Sequence, residues 1–222
     1  MKNYFTAISK KWFKLFLPVG ILIISACSMN PIEDSKRQYT SHYDRSTHVI
    51  DGFDIRSKTA APEQITLMFR IDVEPKEAFE LVSDFEKLAT WFSGIKNPAL
   101  DNTHSIRGPN EIGVGSVRSC SLDGAFLYED IVHYDGNKLS YAYSINMDKS
   151  TVSFPISDTL SLFTVESDGN GGSLISWRHY YEKNFHIVAP VITFMMKTVI
   201  LKPAVENLFD QYGGEWVEPN QA

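Results

Sequence analysis

The 222 residues are 43% hydrophobic and 13% aromatic, with a formal charge of −6. That composition supplies a core for one globular domain and excludes a chain that is disordered throughout. The acidic balance, with no basic stripe interleaved with aromatics, excludes nucleic-acid binding.

The N-terminus has the layout of an export signal. Lys2, Lys10, Lys11 and Lys14 precede an apolar run from Leu15 to Ile24 that is short for a membrane span. The run ends in Ile24-Ser25-Ala26-Cys27, which resembles the lipobox of bacterial lipoproteins. The resemblance implies cleavage after residue 26 and acylation of Cys27. Ser28 stands where an Asp would favour inner-membrane retention, so the periplasmic leaflet of a Gram-negative outer membrane is the expected location. Two or three acyl chains, at about 0.8 kcal/mol per buried methylene, make such an anchor permanent. All four signal charges are Lys, so the mature chain is more acidic than the whole. Acylation of Cys27 leaves Cys120 without a disulfide partner.

Residues 27–50 are read as the lipidated Cys and a polar tether. His48 to Ile55 alternates weakly and reads either as an edge strand or as more linker. The domain is expected over 51–214, with 215–222 as a tail. Gln64 to Val73 alternates apolar and polar residues as a half-buried strand does. Pro75 suits the first turn of a helix whose apolar face carries Phe79 and Val82. A second short helix is predicted from Ser83, whose hydroxyl and Glu86 form a capping-box pattern, with Phe85, Leu88 and Phe92 inward.

From Ile95 to Tyr181, turns at Gly108-Pro109-Asn110, Asp123-Gly124, Asp135-Gly136-Asn137 and Asp168 to Gly172 divide an antiparallel meander. Ile187 to Gln211 has apolar residues at helical spacing (Val188, Ile192, Met195 or Met196, Val199 or Ile200, Ala204, Leu208). It is predicted as one long helix bent at Pro203.

Several local patterns mark the next step: Val73-Glu74-Pro75 leading to Phe79, Asp84-Phe85-x-x-Leu88-x-x-Trp91, Gly113-x-Gly115-Ser116-Val117-Arg118, Glu129-Asp130-Ile131, Leu139-Ser140-Tyr141 and Gly172-x-x-Ile175-x-Trp177. In this order, over Ile65 to Phe209, they resemble the SRPBCC superfamily, which contains START domains and polyketide cyclase/dehydrase-like proteins. The resemblance implies an α+β helix-grip fold, a curved antiparallel sheet wrapped around a long C-terminal helix. It also implies an apolar ligand cavity between the two.

The two-residue Asp123-Gly124 turn pairs Leu122 with Ala125, Cys120 with Leu127 and Arg118 with Glu129. With the orientation that the resemblance implies, Arg118, Cys120, Leu122, Leu127, Glu129 and Ile131 take the concave face. At the next turn a two-residue loop would send Ala142 and Ser144 inward, and a three-residue Asp135-Gly136-Asn137 loop would send Tyr141, Tyr143 and Ile145 inward. The aromatic face favours the second. Alternation then adds Thr159, Ser161 and Phe163, with Ile175, Trp177 and His179, and the helix adds Met196 and Ile200.

Arg118 and Glu129 either orient a ligand's polar end or serve structure alone. Glu129 as a general base needs a raised pKa, and an arginine neighbour favours the opposite. The six His have no metal-ligand spacing, Gly113-Val114-Gly115 precedes a strand rather than a helix, and no cofactor motif is present. Cys120 reads as a small buried residue rather than a nucleophile. The leading expectation is a membrane-tethered binding or transfer module for a hydrophobic small molecule or lipid. A cyclase, aromatase or dehydratase using Glu129, Arg118 and a tyrosine is the alternative, and a structural or partner-binding envelope lipoprotein is a third.

Overall fold

A computed structural model describes residues 48–122, 124–152, 154–184 and 189–217. Cys27, the export signal and nearly all of the tether lie outside the described residues. Among the described residues there are ten strands, in chain order β1 (Val49–Ile50), β2 (Phe53–Asp54), β3 (Glu63–Ile71), β4 (Lys96–Asp101), β5 (Val117–Leu122), β6 (Ala125–Asp135), β7 (Ser140–Ile145), β8 (Ile156–Ser167), β9 (Ser173–Lys183) and β10 (Glu215–Trp216). The helices are α1 (Pro75–Ser83), α2 (Phe85–Trp91), α3 (Ala189–Met195) and α4 (Lys202–Tyr212), with a π-helical stretch, Met196–Leu201, between the last two.

Eight strands form one antiparallel sheet in the order β10-β3-β9-β8-β7-β6-β5-β4. The meander from β4 to β9 therefore returns β9 beside β3, and the concave face packs against the helices. The α+β helix-grip architecture is as expected. Among the described residues, no helix is long and apolar enough to cross a membrane.

Local chemistry explains the helices. Pro75 occupies the first turn of α1, where a missing N–H is harmless. The cap of α2 is Asp84, not Ser83: its carboxylate accepts from the N–H groups of Glu86 and Lys87, and Ser83 is the buried last residue of α1. Trp91, fully buried, is the deepest residue of α2 and donates from Nε1 to the Leu81 carbonyl at 2.9 Å. Phe92, expected inward, is only half-buried.

The C-terminal helix is irregular just before Pro203 rather than at it. The Lys202 N–H reaches back five residues to the Lys197 carbonyl. Proline cannot donate and its ring crowds the carbonyl four residues back, and a wide turn relieves that clash.

Two expected boundaries move. Gly213 and Gly214, both at positive φ, turn the chain so that Glu215 and Trp216 pair with Arg70 and Phe69. The first residues of the expected tail are thus an edge strand, with Trp216 edge-on to Phe69 and Phe209. At the other boundary, Val49 and Ile50, placed in the tether, pair with Asp54 and Phe53 across a turn whose Asp51 and Gly52 both have positive φ.

This hairpin and the segment after it cover the convex face of the sheet. Phe53, Ile55 and Ala61 pack on Ala142, Leu160, Leu162 and Tyr180 in a second core. A bulge between Ser157 and Leu160 lets the Asp158 carboxylate accept from the N–H groups of Ala60 and Ala61 at 3.1 and 3.0 Å. The central strands are consequently buried on both faces.

Candidate functional site

The concave face is built in rungs. Strand pairing sets Tyr134, Tyr141, Phe163, Trp177 and Leu67 side by side across five strands. The next rung is Ile131, Tyr143, Ser161, His179 and Ile65. Tyr141, Phe163 and Trp177 stack, with ring centroids 5.2 and 4.6 Å apart. Trp91 and Phe92 meet the Trp177 ring edge-on from the α2 side.

The β5–β6 register is as expected: Arg118 opposes Glu129, Cys120 opposes Leu127 and Leu122 opposes Ala125. Tyr141 and Tyr143 do face the core, but the loop has four residues, 136–139, and a register shift between Ile131 and His133 restores the phase. The bulge also carries His133 to the convex side, where it stacks on Phe53 at 4.4 Å.

Arg118 is 2% exposed. Its Nε donates to Glu129 Oε2 at 2.6 Å, its Nη1 donates to the Tyr141 hydroxyl at 3.3 Å, and Tyr141 in turn donates to the Val82 carbonyl. The guanidinium carbon lies 3.7 Å from the Tyr143 ring centroid and 4.8 Å from that of Phe85, a cation–π box. Burial works against the charge, but the Glu129 carboxylate and the two tyrosines hold the Arg118 pKa above its usual value. Burial pushes the Tyr143 hydroxyl up to about 12 against the pull of Arg118. Burial, reinforced by Glu129, pushes the Cys120 thiol up to about 12 as well, so it is no nucleophile near neutral pH.

His179 is buried and neutral, its pKa driven down to about 3 by burial. Its Nδ1 is 2.9 Å from Ser161 Oγ, while its Nε2 is buried with no hydrogen-bond partner. Trp177 packs against the imidazole, ring centroids 4.6 Å apart. Met196 and Ile200 are partly buried against the same core, as is Leu122, and Ile131 is fully within it. Thr159 falls at the β8 bulge, where its Oγ1 accepts from the Ile145 N–H at 2.9 Å. That hydroxyl is engaged by backbone. Phe85, Trp91 and Tyr181 were not among the expected site residues. Tyr181 follows by two-residue alternation from Trp177 and His179, and its hydroxyl reaches Thr193 Oγ1 on α3 at 3.1 Å. Among the described residues, no three His, Cys, Asp or Glu side chains group as metal ligands.

The site thus offers an aromatic wall, a self-neutralising ion pair at one side and a neutral imidazole with an unpaired nitrogen at the other. It suits an apolar body with one or two hydrogen-bonding groups.

Solved structures with this shape include XoxI from Bacillus cereus, 19% identical with a TM-score of 0.52, covering 67% of this chain and 94% of that one. A protein from Thermobifida fusca is 18% identical with a TM-score of 0.52, covering 67% and 93%. A protein from Bacillus thuringiensis is 19% identical with a TM-score of 0.50, covering 66% and 96%. These likenesses show a shared fold. No match was found among curated proteins. Residues 63–211 match the family described as "Polyketide cyclase / dehydrase and lipid transport", a span that holds β3 to β9, α1 to α3 and all of α4 but its last residue, and the chain belongs to that family.

Proposed function

We propose that this chain is a membrane-anchored binding or transfer module, acylated at Cys27, that holds a hydrophobic small molecule or lipid between the concave sheet and the C-terminal helix. The observation that carries the reading is the buried Nε2 of His179, unpartnered beside the Tyr141–Phe163–Trp177 stack. A buried polar atom without a partner costs about 1–3 kcal/mol, and a ligand hydroxyl or carbonyl against that nitrogen removes the cost. The family description, which includes lipid transport, supports the same reading. A cyclase or dehydratase would need Glu129 as a free base, whereas Arg118 grips that carboxylate at 2.6 Å.

The test is mass spectrometry of the chain purified from a bacterial host under native conditions. One apolar species per chain is expected, with occupancy falling in His179→Phe. Chains that carry nothing and take up no lipid from mixed micelles would sink the proposal.

A further inference from the structure

The hydrogen bonds around His179 have a direction, and the direction dictates what a ligand must offer. Strand pairing puts Tyr143, Ser161 and His179 on one rung across β7, β8 and β9. Ser161 Oγ lies 2.9 Å from His179 Nδ1, and the Tyr143 hydroxyl is within hydrogen-bonding reach of both Ser161 and the Trp177 indole. Tyr143, Trp177 and His179 are buried, so their protons must be met inside the protein.

Counting protons fixes the order. An indole N–H donates and cannot accept, so of these two neighbours only Ser161 can take the Tyr143 proton. The Ser161 oxygen then accepts from Tyr143, and its single proton goes to His179 Nδ1. A neutral imidazole whose Nδ1 accepts carries its own proton on Nε2. The reverse order, from an Nδ1–H through Ser161 to Tyr143, would end on a phenol proton aimed at an indole that cannot receive it, and would leave the Nε2 lone pair unused as well. The Trp177 N–H makes no full hydrogen bond, but its approach to the Tyr143 oxygen favours the first order, because an N–H meets a lone pair and repels a proton.

Charge narrows the choice of ligand. Arg118 is already paired with Glu129 at 2.6 Å, and burial holds His179 neutral and the Tyr143 hydroxyl protonated. A carboxylate or phosphate brought to Nε2 would be buried without a counter-charge. A hydroxyl could accept from Nε2–H, but it would bring in a proton of its own that this order of bonds leaves without an acceptor.

We infer that the site takes uncharged ligands through a carbonyl oxygen, that of a ketone, ester or amide, which accepts from His179 Nε2–H. Tyr143 and Ser161 are positioning residues that hold the imidazole in the donating tautomer. The inference rests on the ligand binding proposed above and adds to it the chemistry of the ligand's polar group.

The test offers the full chain equal amounts of methyl undecyl ketone, the secondary alcohol it reduces to, tridecane and tridecanoate, with the bound species identified by gas chromatography and mass spectrometry after free probe is removed. The ketone is expected to outcompete the alcohol and the alkane by about tenfold or more, the margin set by one unsatisfied buried hydrogen-bonding group, and tridecanoate should not bind. His179→Phe should take up tridecane and lose the ketone preference. In Ser161→Ala the ketone-to-alcohol ratio should fall towards one, and Ser161→Thr, which keeps the hydroxyl, should hold it. Proton–nitrogen correlation spectra of the unaltered chain, isotope-labelled at histidine, should show the His179 proton on Nε2 with no ligand or variant involved. A proton on Nδ1, an alcohol bound as well as the ketone, or tridecanoate among the bound species would each overturn the inference and leave ligand binding itself intact. Uptake of none of the four would also overturn it, and the lipid content of the same preparation then decides ligand binding separately.

Discussion

Arg118 Nε lies 2.6 Å from Glu129 Oε2 across one β5–β6 rung, with both side chains buried. Neither charge reaches water, so each depends on the other. Glu129→Gln leaves a buried guanidinium without its counter-charge and should cost about 3–5 kcal/mol. The double variant Arg118→Met/Glu129→Leu should recover most of that. Urea denaturation followed by circular dichroism measures both, and a single-variant loss below about 1 kcal/mol would contradict the geometry.

Cys120 combines near-complete burial with a thiol pushed up to about 12. In native protein at pH 8 it should resist iodoacetamide for hours and react within minutes in denaturant. Native labelling at the rate of a free thiol would mean that the interior is open to water.

The imidazole of His179 has a folded pKa of about 3 against 6.5 for the ordinary group. Below pH 6.5 the unfolded chain takes up a proton that the folded chain refuses. The contribution to stability is therefore whole above pH 6.5 and is lost as pH falls towards 3. Between pH 7 and pH 5 the loss is about 2 kcal/mol. His133, whose pKa burial also lowers, contributes in the same direction. His179→Gln should flatten the pH dependence of Tm over this window, and an unchanged slope would place the effect elsewhere.

Trp216 closes the β3 edge, packed on Phe69 and Phe209 with the Lys202 ammonium 5.2 Å from its ring centroid. Trp216→Ala should cost about 1–2 kcal/mol. Thermal unfolding checks this, and a neutral outcome would show that β10 adds nothing to the fold.

Much of the fold was legible because its signals are local. The period-two pattern of β3, the Asp123-Gly124 turn and the helical spacing near the C-terminus each placed an element, and the β5–β6 turn predicted the Arg118–Glu129 rung. The inward tyrosines were read correctly through a loop of the wrong length, because a bulge supplied the missing residue. Bulges break alternation without a distinctive residue, which is also why the backbone role of Thr159 was missed. The β1–β2 hairpin carries a usable signal in Asp51-Gly52, but its strands are two residues long and its partner surface on Leu160, Leu162 and Tyr180 is distant in sequence. The unpaired Nε2 of His179 could not be read from sequence, since it depends on what the three-dimensional packing fails to bring near.

The wide turn over Met196–Leu201 sets the phase of the C-terminal helix. An i to i+5 step accommodates an inserted residue, so the buried stripe of α4, with Ala204, Val205 and Leu208, is rotated relative to the stripe that α3 would project along an uninterrupted α-helix. A relative whose last helix is regular throughout should therefore align with a one-residue gap in this stretch. Residue-by-residue transfer of lining positions from such a relative would be correct on one side of the gap and would fall on the wrong face beyond it.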